Sequence, residues 1–224
     1  MFFREIVNFV LPPVCISCEN PPEKPNSFLC NACSGKLVLF NNSHPWRDLY
    51  ISGGNIDGSF SLYKFIKDTP IQHLLHSLKY EKMKSIGNEL GRELGKNLPA
   101  EIKFDYAVPV PLHKAKIRER TYNQSDYICR GINETTGAEM MQNLLIRTRY
   151  TGSQTKLNKT EREENVRGAF AVNKKFKHFI PGKRIILADD VITTGSTILE
   201  CARALKENGA DYVMVCSAAY DALD

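Results

Sequence analysis

A run of acidic and hydroxyl side chains late in the sequence has the composition of a site for a phosphorylated sugar. Asp189 and Asp190 follow an apolar run at 185–188, and the chain then turns into a helix. Their carboxylates can accept hydrogen bonds from sugar hydroxyls or hold a divalent cation. The residues of the turn are Thr193, Thr194, Gly195, Ser196 and Thr197. Their hydroxyls, the free amides of a helix start and the conformational freedom of the glycine predict a cradle for a phosphate. An ordinary capped helix needs only one such residue, so this simpler interpretation is disfavoured.

Two Cys-x-x-Cys pairs lie near the N-terminus. Their members are Cys15, Cys18, Cys30 and Cys33. Together they offer zinc its preferred tetrahedron of sulfur ligands and leave no position open, so we predict a structural zinc site. Two disulfides in an exported domain are the alternative, which the odd cysteine count and the lack of a signal-peptide pattern disfavour. The other three cysteines, Cys129, Cys201 and Cys216, are expected to be small buried hydrophobes.

Basic residues gather in three clusters, although the whole chain has only a mild excess of 30 basic over 25 acidic side chains. The clusters are Lys114, Lys116, Arg118 and Arg120; Arg147 and Arg149; and Lys174, Lys175, Lys177, Lys183 and Arg184. Such clusters suit phosphates or nucleic acid, with solvated loop faces as the alternative. Arg118 and Arg120 precede a predicted helix, where they can close over a pyrophosphate.

The elements around these residues predict an α/β fold with a mostly parallel sheet flanked by helices, because strands alternate with helices. The predicted strands are 56–65, 104–108, 144–147, 185–188 and 212–218, and the predicted helices are 70–83, 86–98, 123–134 and 194–208. In such sheets ligands bind at the carboxyl ends of the strands, where Pro109 and Asp189 both fall. A loop is expected to begin at Pro109, and the run 185–188 is expected to be buried on both faces. Since side chains alternate along a strand, at most one of Asp189 and Asp190 is expected to face the pocket squarely.

A polar stretch at 41–48 contains Pro45 and marks a boundary between two domains. We expect a zinc-binding module over 1–45, with a short amphipathic helix at its start, and a second domain over 46–224. Metal binding worth on the order of 10–16 kcal/mol is expected to supply most of the module's folding energy. Residues 1–14 are interrupted by charges, so neither a signal peptide nor a transmembrane segment is expected.

Taken together, these motifs resemble known families. The stretch from Asp189 to Thr197 resembles the signature for 5-phosphoribosyl-1-pyrophosphate (PRPP) of type I phosphoribosyltransferases. The order of motifs along nearly the whole chain resembles the ComF family of competence-associated proteins. These motifs are the two cysteine pairs, Leu78-Lys79-Tyr80, Val108 to His113, Arg120 to Gln124, Gln154, Arg162 with Asn165-Val166, Ala169-Phe170 and the signature itself.

The resemblance implies a cytoplasmic bacterial protein that assists imported single-stranded DNA during natural transformation, with other competence or recombination proteins as partners. It implies that Asp189 and Asp190 bind the ribose hydroxyls of PRPP, which magnesium accompanies, and that Thr193 to Thr197 surround the 5-phosphate.

The resemblance also implies that Pro109 and Val110 belong to a pyrophosphate loop and that Arg118 and Arg120 belong to a mobile loop. The two arginines and the two aspartates are then the candidate catalytic residues. The family usually has Arg-Gly-Phe-Asn-Gln where this chain has residues 120–124, so Thr121 replaces a glycine.

Two functions remain open at this point. The first is a PRPP-binding module of DNA uptake whose basic clusters contact the backbone of single-stranded DNA. The second is an active phosphoribosyltransferase of nucleotide metabolism acting on a small amine or nucleobase. So few residues follow Thr197 that an acceptor pocket would have to come from the first 65 residues. A PRPP-sensing regulator of transcription is disfavoured because no helix-turn-helix pattern is found.

Overall fold

A five-stranded parallel sheet organises the chain. The computed structural model describes residues 13–41, 54–149 and 165–221. The sheet contains β1 (Gly58–Lys64), β2 (Tyr106–Pro109), β3 (Glu139–Met140), β6 (Arg184–Ile192) and β7 (Tyr212–Tyr220), in the order β1-β7-β6-β2-β3. All four strand pairs are parallel. A separate antiparallel ribbon pairs β4 (Leu145–Arg147) with β5 (Phe170–Val172).

Helices cover the sheet and connect its strands. They are α1 (Asn31–Ser34), α2 (Pro70–Tyr80), α3 (Lys84–Lys96), α4 (Lys114–Arg120), α5 (Gln124–Thr136) and α6 (Ser196–Lys206), with one 3₁₀ turn at Lys177–Phe179. Apolar residues of α2, α3 and α5 form one buried cluster with the sheet, while those of α6, β4 and β5 form another. The sheet therefore has a hydrophobic core on each face.

The central strand β6 belongs to both cores. Ile186 and Ala188 join the cluster of α2, α3 and α5, whereas Ile185 and Leu187 join the cluster of α6. All four side chains are completely buried, which confirms the expectation for the run 185–188. This alternation follows from the pleat of the strand, and it fixes the direction of every side chain that follows along β6.

The predicted fold class is confirmed; the differences lie at the ends of elements and in elements that were not predicted, among them α4, β3 and β5. Strand β6 runs to Ile192, beyond the predicted end at 188, because it stays paired with the equally long β7. Strand β2 includes Pro109, so the loop begins one residue later than expected. The N-terminal helix and the boundary near residue 45 lie outside the described residues. Among those described, no helix is both long enough and apolar enough to cross a bilayer.

The cysteine segment packs directly onto the sheet domain. Cys15, Cys30 and Cys33 are buried in the same cluster as Leu62 and Leu74. The following residues extend the sheet beyond β1 through an antiparallel bridge between Leu39 and Tyr63. Two backbone hydrogen bonds make this contact, from Phe40 N to Leu62 O at 2.9 Å and from Lys64 N to Val38 O at 2.8 Å. The segment thus shares a core with the sheet domain and covers the edge of β1.

Helices α3 and α5 approach each other closely enough for their backbones to touch. A Cβ atom added to Gly91 would lie 2.0 Å from the carbonyl oxygen of Ile128, and one added to Gly131 would lie 2.1 Å from that of Asn88. Only glycine fits at these positions, so the two glycines fix the separation of the helices.

Candidate functional site

A cavity of about 470 Å³ opens at the carboxyl ends of β6 and β2. Its lining combines the acidic pair, the hydroxyl turn, the loop after β2 and several cations. The polar lining residues are Lys79, Lys116, Arg120, Arg147, Asp189, Asp190, Thr193, Thr194, Ser196, Thr197 and Asp221. Parallel strands end together at one edge of a sheet, which is why residues distant in sequence meet here.

Both aspartates line the cavity, where the sequence predicted that at most one would face it squarely and that the other would reach it as the strand ends. They belong to β6 itself, because the strand continues for two residues after Asp190. Ser125 Oγ at the start of α5 donates a hydrogen bond of 3.0 Å to Asp189 Oδ1, and the backbone N–H of Asp190 donates to the same oxygen at 2.9 Å. Burial, together with the charge of Asp190, raises the pKa of Asp189 to about 7.

Lys79 balances the charge of the acidic pair. It lies on the last turn of α2, and its Nζ is 2.8 Å from Asp190 Oδ2 with both side chains largely shielded from water. The sequence offered Lys79 only as part of a family motif. Its approach to Asp190 depends on α2 crossing the end of β6, which periodicity does not reveal.

The hydroxyl turn connects β6 to α6 on the floor of the cavity. Gly195 is the N-cap of α6 and has φ 76°, a left-handed conformation that suits glycine. Thr194 Oγ1 and Ser196 Oγ lie 2.9 Å apart. The hydroxyls therefore gather at the N-terminus of an 11-residue helix, whose free N–H groups and dipole favour an anion.

Three further cations come from the first two basic clusters and meet in the cavity: Lys116 and Arg120 from α4 and Arg147 from β4. Burial and the charges of Arg120 and Arg147 lower the pKa of Lys116. The Nε of Arg120 is buried and has no hydrogen-bond partner among the described residues. With Lys79, four cations line the cavity together with the carboxylates of Asp189, Asp190 and Asp221.

Two of the predicted site residues do not line the cavity. Arg118 lies on α4 and is exposed, and Pro109 is the last residue of β2, where it is buried. Val110, the next residue, does line it. The predicted mobile loop is a helix in this structure, because His113 Nδ1 accepts a hydrogen bond from Ala115 N as a cap and the following residues are good helix formers. Helix α4 has no fully buried residue and no face of regularly spaced apolar residues, which is the pattern by which sequence reasoning finds helices.

Asn123 joins the loop after β2 to the start of α5. Its Nδ2 donates to the carbonyl of Val110 at 3.0 Å, while its Oδ1 accepts from the backbone N–H of Ser125 as the helix cap. Sequence reasoning assigned no structural role to Asn123 or Ser125. Both hold site residues in place, Val110 and Asp189 respectively.

Thr121 ends helix α4 in a left-handed conformation, with φ 69°. This is the position at which the sequence lacks an expected glycine, and a β-branched residue is rarely found there. We expect Thr121→Gly to stabilise the protein by about 0.5–1 kcal/mol, since about 1–2 kcal/mol of strain is relieved and part is offset by the flexibility of glycine in the unfolded chain. Thermal unfolding should show a rise of about 1–4 °C in Tm.

Thr121→Ala is the matched control, because alanine keeps the Cβ that causes the strain. It should recover less of the stability than glycine. Equal midpoints for the two variants would contradict the strain at residue 121.

The four predicted zinc ligands lie close together. Their sulfur atoms all lie within 4.8 Å of one another, and Cys18 Sγ is 3.6 Å from Cys30 Sγ. A zinc ion with Zn–S distances of about 2.3 Å needs sulfurs roughly 3.8 Å apart, so the four thiols fit a tetrahedral ion. Burial and the neighbouring thiols raise the pKa of Cys33 to about 12, a cost that a divalent cation would relieve.

The three remaining cysteines take the places predicted for them. Cys129 lies on α5, Cys201 on α6 and Cys216 on β7, and each is completely buried. Burial raises the pKa of all three thiols, as expected for small hydrophobic side chains.

Comparison with known proteins identifies relatives along most of the chain. It is 30% identical to DNA utilization protein YhgH of Salmonella typhimurium over 213 residues, which cover 90% of this chain and 82% of that protein. The Escherichia coli protein of the same name is 32% identical over 157 residues, and the match spans 65% of its length. Competence protein F of Haemophilus influenzae is 29% identical over 152 residues, covering 65% of this chain and 66% of that protein.

Among solved structures, glutamine PRPP amidotransferase from B. subtilis overlaps 64% of this chain and 30% of its own, with 23% identity and a TM-score of 0.45. No family model matches the sequence.

Proposed function

Because the chain belongs to the ComF family, which includes DNA utilization protein YhgH, we propose that it binds PRPP and assists the handling of imported single-stranded DNA in the cytoplasm. The names of its relatives support the role in DNA utilization and competence. The observation that carries the PRPP proposal is the meeting of the acidic pair, the hydroxyl turn and four cations in one cavity.

Each chemical part of PRPP has a matching group in the cavity. The 5-phosphate fits the hydroxyls and free amides at the start of α6. The ribose diol fits Asp189 and Asp190, whose oxygens accept hydrogen bonds. The pyrophosphate fits the cations Lys116, Arg120 and Arg147.

Magnesium is the expected companion of PRPP, because the pyrophosphate supplies the oxygen ligands that this ion prefers. Asp189 and Asp190 supply the only carboxylates of the strand β6. When bound, the ion would neutralise part of the pyrophosphate charge. Lys79 already pairs with Asp190 at 2.8 Å, so it competes with any cation for that carboxylate.

Asp189→Asn tests the proposal with little change in shape. Hydrogen bonds to a charged group contribute about 1.5–3 kcal/mol, so we expect PRPP with magnesium to bind about 10- to 100-fold more weakly. Calorimetric titration of the zinc-loaded protein measures this directly. Asp211→Asn is the matched control, because Asp211 is exposed and precedes β7 at the opposite end of the sheet.

Unchanged affinity in Asp189→Asn, or no binding of PRPP by the natural sequence, would overturn the PRPP proposal. The proposed DNA role would then be supported only by the names of the relatives and by the basic clusters.

An active phosphoribosyltransferase is the second candidate, with a small amine or nucleobase as acceptor. The observation that favours it is the partly buried ring of Phe65 in the lining of the cavity, on which a planar acceptor can stack. Release of pyrophosphate with such an acceptor would establish turnover, and Phe65→Ala should then raise the KM for the acceptor.

A further inference from the structure

A strip of aromatic and basic side chains extends over the surface from the edge of the cavity. Its six members are Tyr80 on α2, Lys84 on α3, Arg120 on α4, Tyr122, and Tyr127 and Arg130 on α5. We call these residues the aromatic–basic strip. Arg120 belongs both to the strip and to the lining of the cavity, so the two are continuous.

The cations of the strip lie over the rings. The guanidinium of Arg120 is 5.2 Å from the ring centroid of Tyr80, and that of Arg130 is 4.6 Å from that of Tyr127. Lys84 Nζ lies between two rings, 5.2 Å from Tyr122 and 5.4 Å from Tyr127. Such contacts occur about once per 70–80 residues on average, so this concentration on one surface is unusual.

These cations differ from the paired cations elsewhere on the surface. Within the described ranges, Lys84, Arg120 and Arg130 form no ion pair with a carboxylate. By contrast, the third basic cluster is partly neutralised, since Lys183 pairs with Asp105 at 2.9 Å and Arg184 with Asp211 at 3.7 Å. The strip therefore keeps its positive charge available for an anionic partner.

Two acidic residues beside the strip are engaged by other hydrogen-bond partners, so they offset its charge only in part, Asp126 through the nearby charge of Arg130. Asp126 is buried and accepts hydrogen bonds from Gln142 Nε2 at 2.6 Å and Asn123 Nδ2 at 3.3 Å. Glu81 lies 3.3 Å from His76 Nδ1. Helix α4 itself carries four cations and a single carboxylate, Glu119.

The geometry of the strip is held by the fold. The hydroxyl of Tyr122 donates a hydrogen bond to the carbonyl of Leu78, which fixes the end of α2 beside the start of α5. The rings of Tyr122 and Tyr127 meet edge to face with centroids 5.3 Å apart. Tyr80 contacts Arg120 and the ring of His76, with ring centroids of the latter pair 5.0 Å apart, and still remains 53% exposed, so part of its ring is accessible to a base.

We propose that the aromatic–basic strip is the surface that binds single-stranded DNA, an inference that rests on the proposed function and assigns its DNA contact to these residues. Bases would stack on the accessible rings of Tyr80 and Tyr127, and the unpaired cations would contact the phosphates between them. Tyr122 is only 7% exposed, so its part is to hold the strip in place. Double-stranded DNA presents phosphates but no exposed base faces, so the strip should prefer single strands.

Charge removal on the strip gives the first test. Lys84→Ala with Arg130→Ala should weaken binding of a fluorescent oligothymidylate at least 10-fold in anisotropy titrations. It should also reduce the slope of log affinity against log salt by about 1.4, since each single-strand phosphate contact contributes about 0.7. Lys36→Ala with Lys103→Ala is the matched control, because it removes the same charge from exposed residues outside the strip and outside the three basic clusters.

Ring removal gives the second test without changing the charge. Tyr80→Leu should weaken the same complex about 5- to 100-fold, as expected for the loss of one stacked base. Phe179→Leu is its control, since Phe179 is 40% exposed and belongs to a different surface.

The outcomes separate this inference from the function on which it rests. If the natural sequence binds oligothymidylate and the strip variants bind it equally well, the strip is not the DNA surface, while the DNA role stands. Failure of the natural sequence to bind oligothymidylate overturns both. Equal affinity for duplex DNA, with no effect of Tyr80→Leu, would identify a general anion surface and contradict the stacking role. The variant Lys84→Ala with Arg130→Ala should bind PRPP normally, because neither residue lines the cavity.

Discussion

Gly91→Ala is expected to lower the free energy of unfolding by about 3 kcal/mol or more, although alanine is the better helix former. The added methyl group would lie 2.0 Å from the carbonyl oxygen of Ile128, and backbone atoms cannot move aside as a flexible side chain can. Helices α3 and α5 would have to separate, which loosens the core between them. Urea denaturation followed by circular dichroism measures the effect as a lower midpoint.

Ser85→Ala is the control for this substitution, because Ser85 is exposed on the same helix. It should raise the midpoint slightly through helix propensity. If Gly91→Ala were as stable as the natural sequence, the two helices would have room to separate without cost, and the close approach would have no structural role.

Removal of zinc is expected to unfold the cysteine segment and expose part of the sheet. Structural zinc contributes on the order of 10–16 kcal/mol to small zinc peptides, far more than the few buried apolar side chains of residues 13–41 provide. The amide of Lys64, which donates to the carbonyl of Val38, should then lose its protection from hydrogen exchange. The central strand β6 should keep its protection, since it is paired on both sides.

Cys33→Ser should reproduce the effect of zinc removal by a chelator, because it removes one of the four predicted ligands. Ser34→Ala, at an exposed neighbouring residue, should leave both the zinc content and the exchange rate of Lys64 unchanged. Full protection of Lys64 in metal-free protein would show that packing alone holds the segment.

The sequence predicted best where one residue pattern determined one structure. The apolar run 185–188 was predicted to be a strand buried on both faces, and the two cysteine pairs were predicted to converge on a metal, with disulfides as the alternative. A strand-to-helix turn was also predicted here, although β6 runs to Ile192 rather than 188 and α6 begins at Ser196 rather than Thr194. These features depend on local chemistry, which is present in the sequence.

Features that depend on contacts between distant elements were not predictable. The pairing of Lys79 with Asp190 requires the position of α2 over the sheet, and the hydrogen bond from Ser125 to Asp189 requires that of α5. Helix α4 was missed because it has no fully buried residue and no face of regularly spaced apolar residues. The strand order was equally hidden, since β1 pairs with the last strand of the sheet rather than with its neighbour in sequence.

The backbone contact between Val38–Phe40 and β1 has a consequence for solubility. Strand β1 is the outermost strand on its side of the five-stranded sheet, and this contact occupies N–H and C=O groups that would otherwise be free to pair. An uncovered strand edge is a template for another chain, which is how native proteins come to aggregate through their sheets. Loss of the metal would therefore expose this edge and promote self-association. A zinc ion at the cysteines would then protect the protein from aggregation as well as stabilise the segment.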